Sequence, residues 1–266
     1  MNFNETKIMG IINVTPDSFY PKSRINKDKL LETVDNMIKN GAKIIDVGGE
    51  STRPGAEEVS EEEELNRVVP AIELIKKNFD IVVSVDTYKS KVAEESLKVG
   101  ADIVNDISAL RFDENMASVV KKYNCPVILM HMKGTPKNMQ KNPYYEDTIK
   151  EIYSFFEERI KFAQNRGIQK IIIDPGIGFG KRLIDNLLIL KHLDEFKKLG
   201  FPLLIGASRK SMIGMILDLP VEERLEGTLA ITAYCALKGV EIIRVHDVKE
   251  NYRVLKVIEA IKNASR

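Results

Sequence analysis

Polar and charged side chains stand at or just after the ends of eight short apolar runs in this chain. Carboxylate, amide and basic groups of this kind could bind a polar small molecule or a metal ion. The groups concerned are Asn13, Glu50, Thr52, Arg53, Asp86, Asn105, Asp106, His131, Asp174, Lys210, Arg244, His246 and Asp247. If the runs are parallel strands, their carboxyl ends meet on one face of the fold, and these groups gather there.

The elements that must position these groups are short runs rich in Ile and Val, which are typical of strands covered by helices on their outer side. The predicted strands are 7–14, 43–48, 81–86, 102–106, 126–131, 170–174, 202–206 and 241–246. Helical periodicity alternates with them over 27–40, 60–77, 89–98, 114–123, 145–166, 185–198, 222–238 and 248–263.

This alternation predicts a single (β/α)8 barrel over residues 1–266, because about 250 residues suffice for that fold. A doubly wound open sheet is the alternative, since a count of strands from one sequence can be wrong by one. In a barrel, the functional site lies at the carboxyl ends of the strands.

Composition argues against several classes of partner. The 40 basic and 39 acidic residues give a net charge of +1, whereas a nucleic-acid surface needs clustered positive charge. No apolar stretch approaches the length of a membrane span, so we expect a soluble, cytoplasmic protein without a membrane partner. Cys125 and Cys235 are expected to be core residues and not a disulfide pair.

The segment IIDVGGESTRPG follows the second predicted strand. Gly48 and Gly49 permit a close backbone approach, and Arg53 can make forked contacts to a carboxylate or phosphate. Together with Thr52 and Pro54 these residues favour a binding loop. An ordinary turn with a solvated arginine is the alternative.

Asp86, Asn105 and Asp174 end three different predicted strands. Two carboxylates and an amide that converge could read the donors of a heteroaromatic ring, or they could hold a metal. Buried carboxylates need hydrogen bonds or a cation, and Lys210 and Arg244 are candidate cations. The alternative for Asp86 alone is that it caps the next helix.

Three further segments contribute to the same face. DPGIGFGK fits neither the phosphate-binding P-loop nor GxGxxG, so it indicates a rigid loop whose Phe179 can stack on a ligand or wall a pocket. SRKS carries Lys210, and RVHD supplies Arg244 and His246 as a phosphate or pyrophosphate clamp. For Arg244 the alternative is a surface salt bridge. No HExxH or GxSxG motif supports zinc or acyl-enzyme chemistry.

Together these segments closely resemble the dihydropteroate synthase family over almost the whole chain. The resemblance is carried by GIINVTPDSF, DVGGESTRPGA, LMHMKGTPKNMQ, DPGIGFGK, GASRKSMIG, RVHDV and the long segment SVDTYKSKVAEESLKVGADIVNDISA. It implies a transferase that joins p-aminobenzoate to (7,8-dihydropterin-6-yl)methyl diphosphate, releases pyrophosphate and needs Mg²⁺.

The resemblance also implies a role for individual residues. The pterin would be bound by Asp86, Asn105, Met130, Asp174, Phe179, Gly206 and Lys210. The diphosphate would be bound by Asn13, Thr52, Arg244 and His246, with Asn13 as the Mg²⁺ ligand. The p-aminobenzoate would be bound by Arg53, Pro54 and Ser211. Lys210, Arg244, His246 and Asp86 would be catalytic, in a dissociative reaction in which the C–O bond breaks first.

One segment departs from the family pattern. The first loop reads DSFYPKS, with Pro21 where the family has an acidic residue, which puts the second substrate and sulfonamide response in question. The altered loop therefore keeps open a catalytically silent homologue. A methyltetrahydrofolate:corrinoid methyltransferase-like pterin binder is the main alternative, because it would share Asp86, Asn105 and Asp174. The family resemblance also implies a homodimer.

Overall fold

The structure is a computed structural model that describes residues 5–14, 26–51 and 58–265. Eight strands alternate with helices along the chain. The strands are β1 (Lys7–Asn13), β2 (Ala42–Gly48), β3 (Val82–Asp86), β4 (Ile103–Asp106), β5 (Val127–Met130), β6 (Ile171–Asp174), β7 (Leu204–Ile205) and β8 (Ile242–Val245). The helices are α1 (Lys27–Lys39), α2 (Glu61–Asn78), α3 (Ser90–Lys98), α4 (Met116–Tyr123), α5 (Thr148–Asn165), α6 (Leu183–Lys191), α7 (Leu193–Lys197), α8 (Ser211–Leu217), α9 (Leu225–Leu237) and α10 (Val248–Lys262).

The strands form a closed parallel barrel. Seven neighbouring pairs give the order β6-β5-β4-β3-β2-β1-β8-β7, and every pair is parallel. A parallel bridge between Ile173 and Leu203 joins β6 to the segment before β7 and completes the ring. This closure confirms the barrel prediction and makes the open sheet wrong.

One layer of apolar side chains fills the lower part of the barrel. Each strand contributes one residue to it: Met9, Ile44, Val82, Ile103, Ile128, Ile172, Leu204 and Ile242. A second apolar core lies between the strands and the surrounding helices. Because side chains alternate along a strand, the residue two positions after each layer residue also points into the barrel. These residues lie above the layer, on the side of the strands' carboxyl ends.

The shortness of β7 has a local cause. Pro202 has no N–H to donate, and the N–H of Leu203 donates to the side chain of Glu241 at 2.8 Å. The carbonyl of Pro202 still accepts from Ile173 at 2.9 Å, so the barrel is closed there although regular pairing covers only Leu204–Ile205.

Several predicted boundaries hold. Ser60 caps α2 by accepting from the N–H of Glu63 at 3.2 Å, and Gly41 follows α1 with φ +102°. The predicted helix 185–198 is wrong in one respect, because it is divided at His192 into α6 and α7. Helix α8 begins at the segment SRKS, where a helix start was expected, although its range is outside the predicted helical segments, and it ends where Asp218 adopts φ +55°.

The two cysteines are free and buried, as predicted. Burial raises the pKa of the Cys125 thiol to about 11, which keeps it protonated at neutral pH. Among the residues that the structure describes, no helix is both long and apolar enough to cross a membrane.

Candidate active site

Arg244 joins two carboxylates across the mouth of the barrel. Its Nε donates to Oδ2 of Asp46 at 2.6 Å, and its Nη2 donates to Oδ2 of Asp86 at 2.7 Å. Burial alone would lower the pKa of the guanidinium, but these two carboxylates outweigh it and raise the pKa above its ordinary value. Arg244 is therefore held inside the site, and the alternative of a surface salt bridge is wrong.

Three polar residues above the apolar layer come from strands β2, β4 and β8, which are not adjacent in the barrel. Asp46, Asn105 and Arg244 each lie two positions beyond a layer residue on the same strand. Oδ2 of Asp46 also accepts from Nδ2 of Asn105, at 3.2 Å. One buried carboxylate thus contacts both Arg244 and Asn105.

Asp86 lies at the end of β3, beside Asn105 in the strand register. Burial raises the pKa of its carboxyl to about 7, although the charge of Arg244 opposes that rise. The alternative that Asp86 caps helix α3 is wrong, because the N-cap position is Lys89 and the N–H of Ser90 donates to Oδ2 of Asp113, at 2.7 Å. The carboxyl is therefore available to the barrel mouth.

Asp174 ends β6 and orders the loop that follows. Its Oδ1 accepts from the N–H of Gly176 at 2.8 Å, and burial raises the pKa of its carboxyl. Gly176 has φ +68°, and a Cβ on it would lie 2.0 Å from the carbonyl oxygen of His131. The loop after β6 therefore requires glycine at this position, in agreement with the predicted rigid loop.

Lys210 lies immediately before helix α8 and reaches across to the loop after β6. Its Nζ donates to the carbonyl of Ile177 and lies 4.5 Å from the centre of the Phe179 ring. Burial lowers the pKa of the ammonium to about 8, while the charge of Asp174 opposes that fall. Lys210 is thus a cation whose charge changes close to neutral pH.

An apolar cluster forms one wall of the barrel mouth. Met130, at the end of β5, packs with buried residues of the following loops, and Phe179 packs against the same cluster. The complete cluster contains Ile107, Met130, Met132 and Met139, with Tyr88 and Phe179 at its edge. The sequence prediction named only Met130 and Phe179.

Of the other predicted residues, Asn13, Gly206 and His246 lie at or directly after strand ends, and Ser211 begins a helix. His246 is exposed just beyond β8, and its Nδ1 lies 2.9 Å from Oγ of Ser208. Asn13 ends β1, and Ser211 is the exposed first residue of α8. Gly206 faces Arg244, since a Cβ on Gly206 would lie 3.7 Å from Cβ of Arg244.

Some of the predicted residues lie outside the part that the structure describes. These are Thr52, Arg53 and Pro54, and the first-loop residue Pro21.

The chain on either side of residues 52–57 is held by Lys89. Its Nζ contacts the carboxylates of Glu50 and Glu64 and donates to the carbonyl of Val59 at 2.8 Å. Tyr88 donates to the same Glu50 at 3.0 Å. This buried ion cluster joins the end of β2 to the start of α2, and it was not predicted.

Sequence reasoning also missed Asp46 and Lys181. Asp46 lies in the quoted segment DVGG, two positions beyond the layer residue Ile44, so strand periodicity could have pointed it inward. Lys181 is buried, and its Nζ lies 2.9 Å from Nδ1 of His131. Burial lowers the pKa of that lysine, and nothing in its sequence neighbourhood indicated this.

Comparison with known proteins decides the family. The family model for pterin binding enzymes matches residues 9–246. The dihydropteroate synthase of Clostridium beijerinckii is 50% identical over 260 residues, which is 96% of this chain and 94% of that protein. This chain belongs to the dihydropteroate synthase family.

Solved dihydropteroate synthases have the same fold. The Yersinia pestis enzyme with a sulfonamide drug complex gives a TM-score of 0.94 at 45% identity, over 99% of this chain and 97% of that chain. The Xanthomonas albilineans dihydropteroate synthase with 4-aminobenzoic acid gives 0.93 at 38% identity, over 100% and 96%. The sequence-based prediction of a dihydropteroate synthase, and hence of a transferase, is confirmed.

Proposed function

We propose that this dihydropteroate synthase condenses p-aminobenzoate with (7,8-dihydropterin-6-yl)methyl diphosphate, giving 7,8-dihydropteroate and pyrophosphate. The observation that carries the proposal is the barrel mouth, which unites hydrogen-bond acceptors on three strands with the two half-buried cations Lys210 and Arg244. A neutral, donor-rich ring with an anionic leaving group matches this combination of charges.

The pterin is the part of the substrate that the inner mouth suits. Asp86, Asn105 and Asp174 would accept hydrogen bonds from the amino-pyrimidine edge, while Lys210 would donate to the ring. Met130 and Phe179 belong to one apolar cluster that could cover a ring face, and Gly206 leaves space beside Arg244. Nζ of Lys210 lies 4.5 Å from the centre of the Phe179 ring, and this proximity of the lysine to the apolar cluster supports the proposal.

The diphosphate would lie toward the rim of the mouth. Two of the three guanidinium nitrogens of Arg244 are engaged by Asp46 and Asp86. No hydrogen bond joins Nη1 to another residue in the described ranges, so this nitrogen can meet an anion. His246 is exposed at the rim, and Thr52 would add a hydroxyl.

Mg²⁺ remains a proposal supported by the chemistry of its ligands. Mg²⁺ prefers oxygen ligands and is commonly held by one or two protein groups together with substrate phosphates and water. Within residues 5–14, 26–51 and 58–265, no group of three His, Cys, Asp or Glu side chains could hold a metal. The amide oxygen of Asn13 with diphosphate oxygens fits this shared mode. When bound, Mg²⁺ would neutralise charge on the leaving group.

The p-aminobenzoate would bind outside the pterin, at Arg53, Pro54 and Ser211. Ser211 lies directly after Lys210, which supports adjacency of the two substrate sites. A forked arginine contact to the benzoate carboxylate would suit Arg53. Sulfonamide sensitivity is proposed on the same basis.

We propose a dissociative order for the reaction. The bridging C–O bond breaks with its electrons going to the diphosphate, and the amine of p-aminobenzoate then forms the C–N bond and loses a proton. Asp86 and Asp174 would stabilise positive charge on the pterin, while Arg244 and His246 would stabilise the departing anion. Positional exchange of the bridging oxygen in the absence of p-aminobenzoate tests this order. Absence of exchange would argue for a concerted displacement.

The primary experiment measures pyrophosphate release with Mg²⁺, with and without p-aminobenzoate, while dihydropteroate is detected separately. Release coupled to dihydropteroate formation supports the proposed reaction. Pterin binding without product would favour the catalytically silent homologue. Methyl transfer from methyltetrahydrofolate to a corrinoid would favour the methyltransferase-like alternative. That alternative assigns no role to Lys210 and His246.

A homodimer and a cytoplasmic location are further proposals. Helices α8 and α9 expose large apolar side chains, among them Met215, Ile216, Leu217, Tyr234 and Leu237, which supports an interface between two copies. Sedimentation equilibrium at micromolar concentration tests the proposed homodimer, because a monomeric mass would contradict it.

A further inference from the structure

The carboxylate of Asp46 lies deep in the barrel mouth. Its side chain is fully buried, with 0% exposure, and it rises directly above the apolar layer residue Ile44. Both Arg244, on β8, and Asn105, on β4, donate to its Oδ2. Asp46 therefore links strands on two sides of its own strand.

The other oxygen of this carboxylate is unsatisfied. Oδ1 of Asp46 is buried and has no hydrogen-bond partner among the described residues. A buried polar atom without a partner disfavours folding, whereas an apolar side chain at this position would leave no such atom. An arrangement that disfavours folding in this way calls for an explanation in function.

We propose that Asp46 is a positioning residue that fixes Arg244 and Asn105 in their substrate-binding orientations without touching the substrate itself. The inference rests on the proposed function, because it assigns those two residues to the diphosphate and the pterin ring. It adds a residue to which no direct substrate contact has been assigned.

The geometry explains why a carboxylate is needed at Asp46. A guanidinium on a long, flexible side chain has many orientations, and a fixed orientation requires contacts on more than one nitrogen. Asp86 alone would hold Nη2 and leave the plane of the group free to turn about that contact. The second contact, from Asp46 to Nε, fixes the plane and directs Nη1 of Arg244 out of the cluster.

Asp46 also acts on the charge state of Asp86. Several charged groups surround Asp86: Asp46 from β2, Arg244 from β8, Glu64 from α2, Asp106 from β4 and Lys210 from the segment before α8. The negative charge of Asp46 contributes to the raised pKa of Asp86. Removal of that charge should therefore move ionisation of Asp86 to lower pH.

The test compares Asp46→Asn with Ser84→Ala in the full-length enzyme. Ser84 is the register partner of Asp46 on β3, is fully buried, and its Oγ has no partner among the described residues. It is thus a matched control for loss of a polar atom in the same layer. The parent enzyme is first shown to form dihydropteroate, and failure at that stage contradicts the proposed function instead.

We expect kcat/KM for the pterin diphosphate to fall ten-fold or more in Asp46→Asn and less than two-fold in Ser84→Ala. The acidic limb of the kcat/KM profile should move to lower pH in Asp46→Asn alone. In an Arg244→Gln background, Asp46→Asn should lower kcat/KM by a clearly smaller factor than in the parent, because part of its effect passes through Arg244 and only the part through Asn105 and Asp86 is left.

Two results would overturn the inference. The first is an Asp46→Asn enzyme within two-fold of the parent. The second is a loss that is unchanged in the Arg244→Gln background and leaves the pH profile unmoved, which would indicate direct contact or a purely structural role. If Asp46→Asn fails to fold, Asp46→Ser, which keeps an acceptor of smaller size, is measured with the same criteria.

Discussion

Nη2 of Arg244 lies 2.7 Å from Oδ2 of Asp86, although 158 positions of the chain separate the two residues. The contact joins the last strand of the barrel to the third across its mouth. It places a cation beside a carboxyl whose burial raises its pKa to about 7. The charge of the barrel mouth is therefore sensitive to pH near neutrality.

The first prediction concerns Asp86 and stability. A carboxyl whose pKa is higher in the folded than in the unfolded chain stabilises the fold at low pH and loses that contribution as pH rises toward the folded value. In urea unfolding, the parent should lose stability relative to Asp86→Asn between about pH 5 and pH 7, by up to about 1.4 kcal/mol per pH unit. A constant difference across this range would contradict the raised pKa.

Lys210 gives a prediction for ligand affinity. Burial lowers the pKa of its ammonium to about 8, so its charge is lost as pH rises through that value. Affinity of the parent for the pterin diphosphate, measured by calorimetry, should weaken above about pH 8. In Lys210→Arg the fall should be absent, because a guanidinium stays charged, even if affinity is lower overall. A parallel fall in both proteins would exclude Lys210 as its source.

Two glycines allow a matched comparison. A Cβ at Gly206 would meet only Cβ and Cδ of Arg244, at 3.7 and 3.9 Å, which are ordinary contacts. Gly206→Ala should therefore unfold at a temperature close to the parent's but bind the pterin diphosphate about ten-fold more weakly, since the methyl group enters the proposed slot.

Gly176→Ala is the contrasting variant. Its φ of +68° and the 2.0 Å approach to the carbonyl of His131 leave no room for a side chain. We expect it to lose at least about 1–3 kcal/mol of unfolding free energy, measured by urea titration. Equal stability of Gly176→Ala and Gly206→Ala would show that the loop after β6 can rearrange.

The Lys89 cluster yields a prediction about buried charge. Lys89→Met would leave the buried carboxylates of Glu50 and Glu64 without their shared cation, which typically destabilises a fold by about 3–5 kcal/mol. Burial already raises the pKa of Glu64, so the loss should be smaller at pH 5 than at pH 8. Adding Glu64→Gln to Lys89→Met should recover part of the stability that Lys89→Met loses. No recovery would indicate that Lys89 acts mainly through the carbonyl of Val59.

The sequence by itself determined the barrel and the face that carries the site. Strand ends are local features, because a run of Ile and Val followed by a polar group requires only short-range information. The positions of Asp86, Asn105 and Asp174 at or next to strand ends therefore follow from the sequence without any knowledge of their contacts. The family motifs determined the enzyme class in the same way, since they are contiguous in the chain.

Tertiary structure decided which of these residues meet. The chain of hydrogen bonds from Asn105 through Asp46 and Arg244 to Asp86 joins β4, β2, β8 and β3, and it arises only when the first and last strands come together in the barrel. Burial, which sets the pKa values of Asp86 and Lys210, likewise depends on the whole surrounding fold. Periodicity can direct a side chain such as Asp46 inward, but its partners depend on strand order and register, which are properties of the assembled barrel.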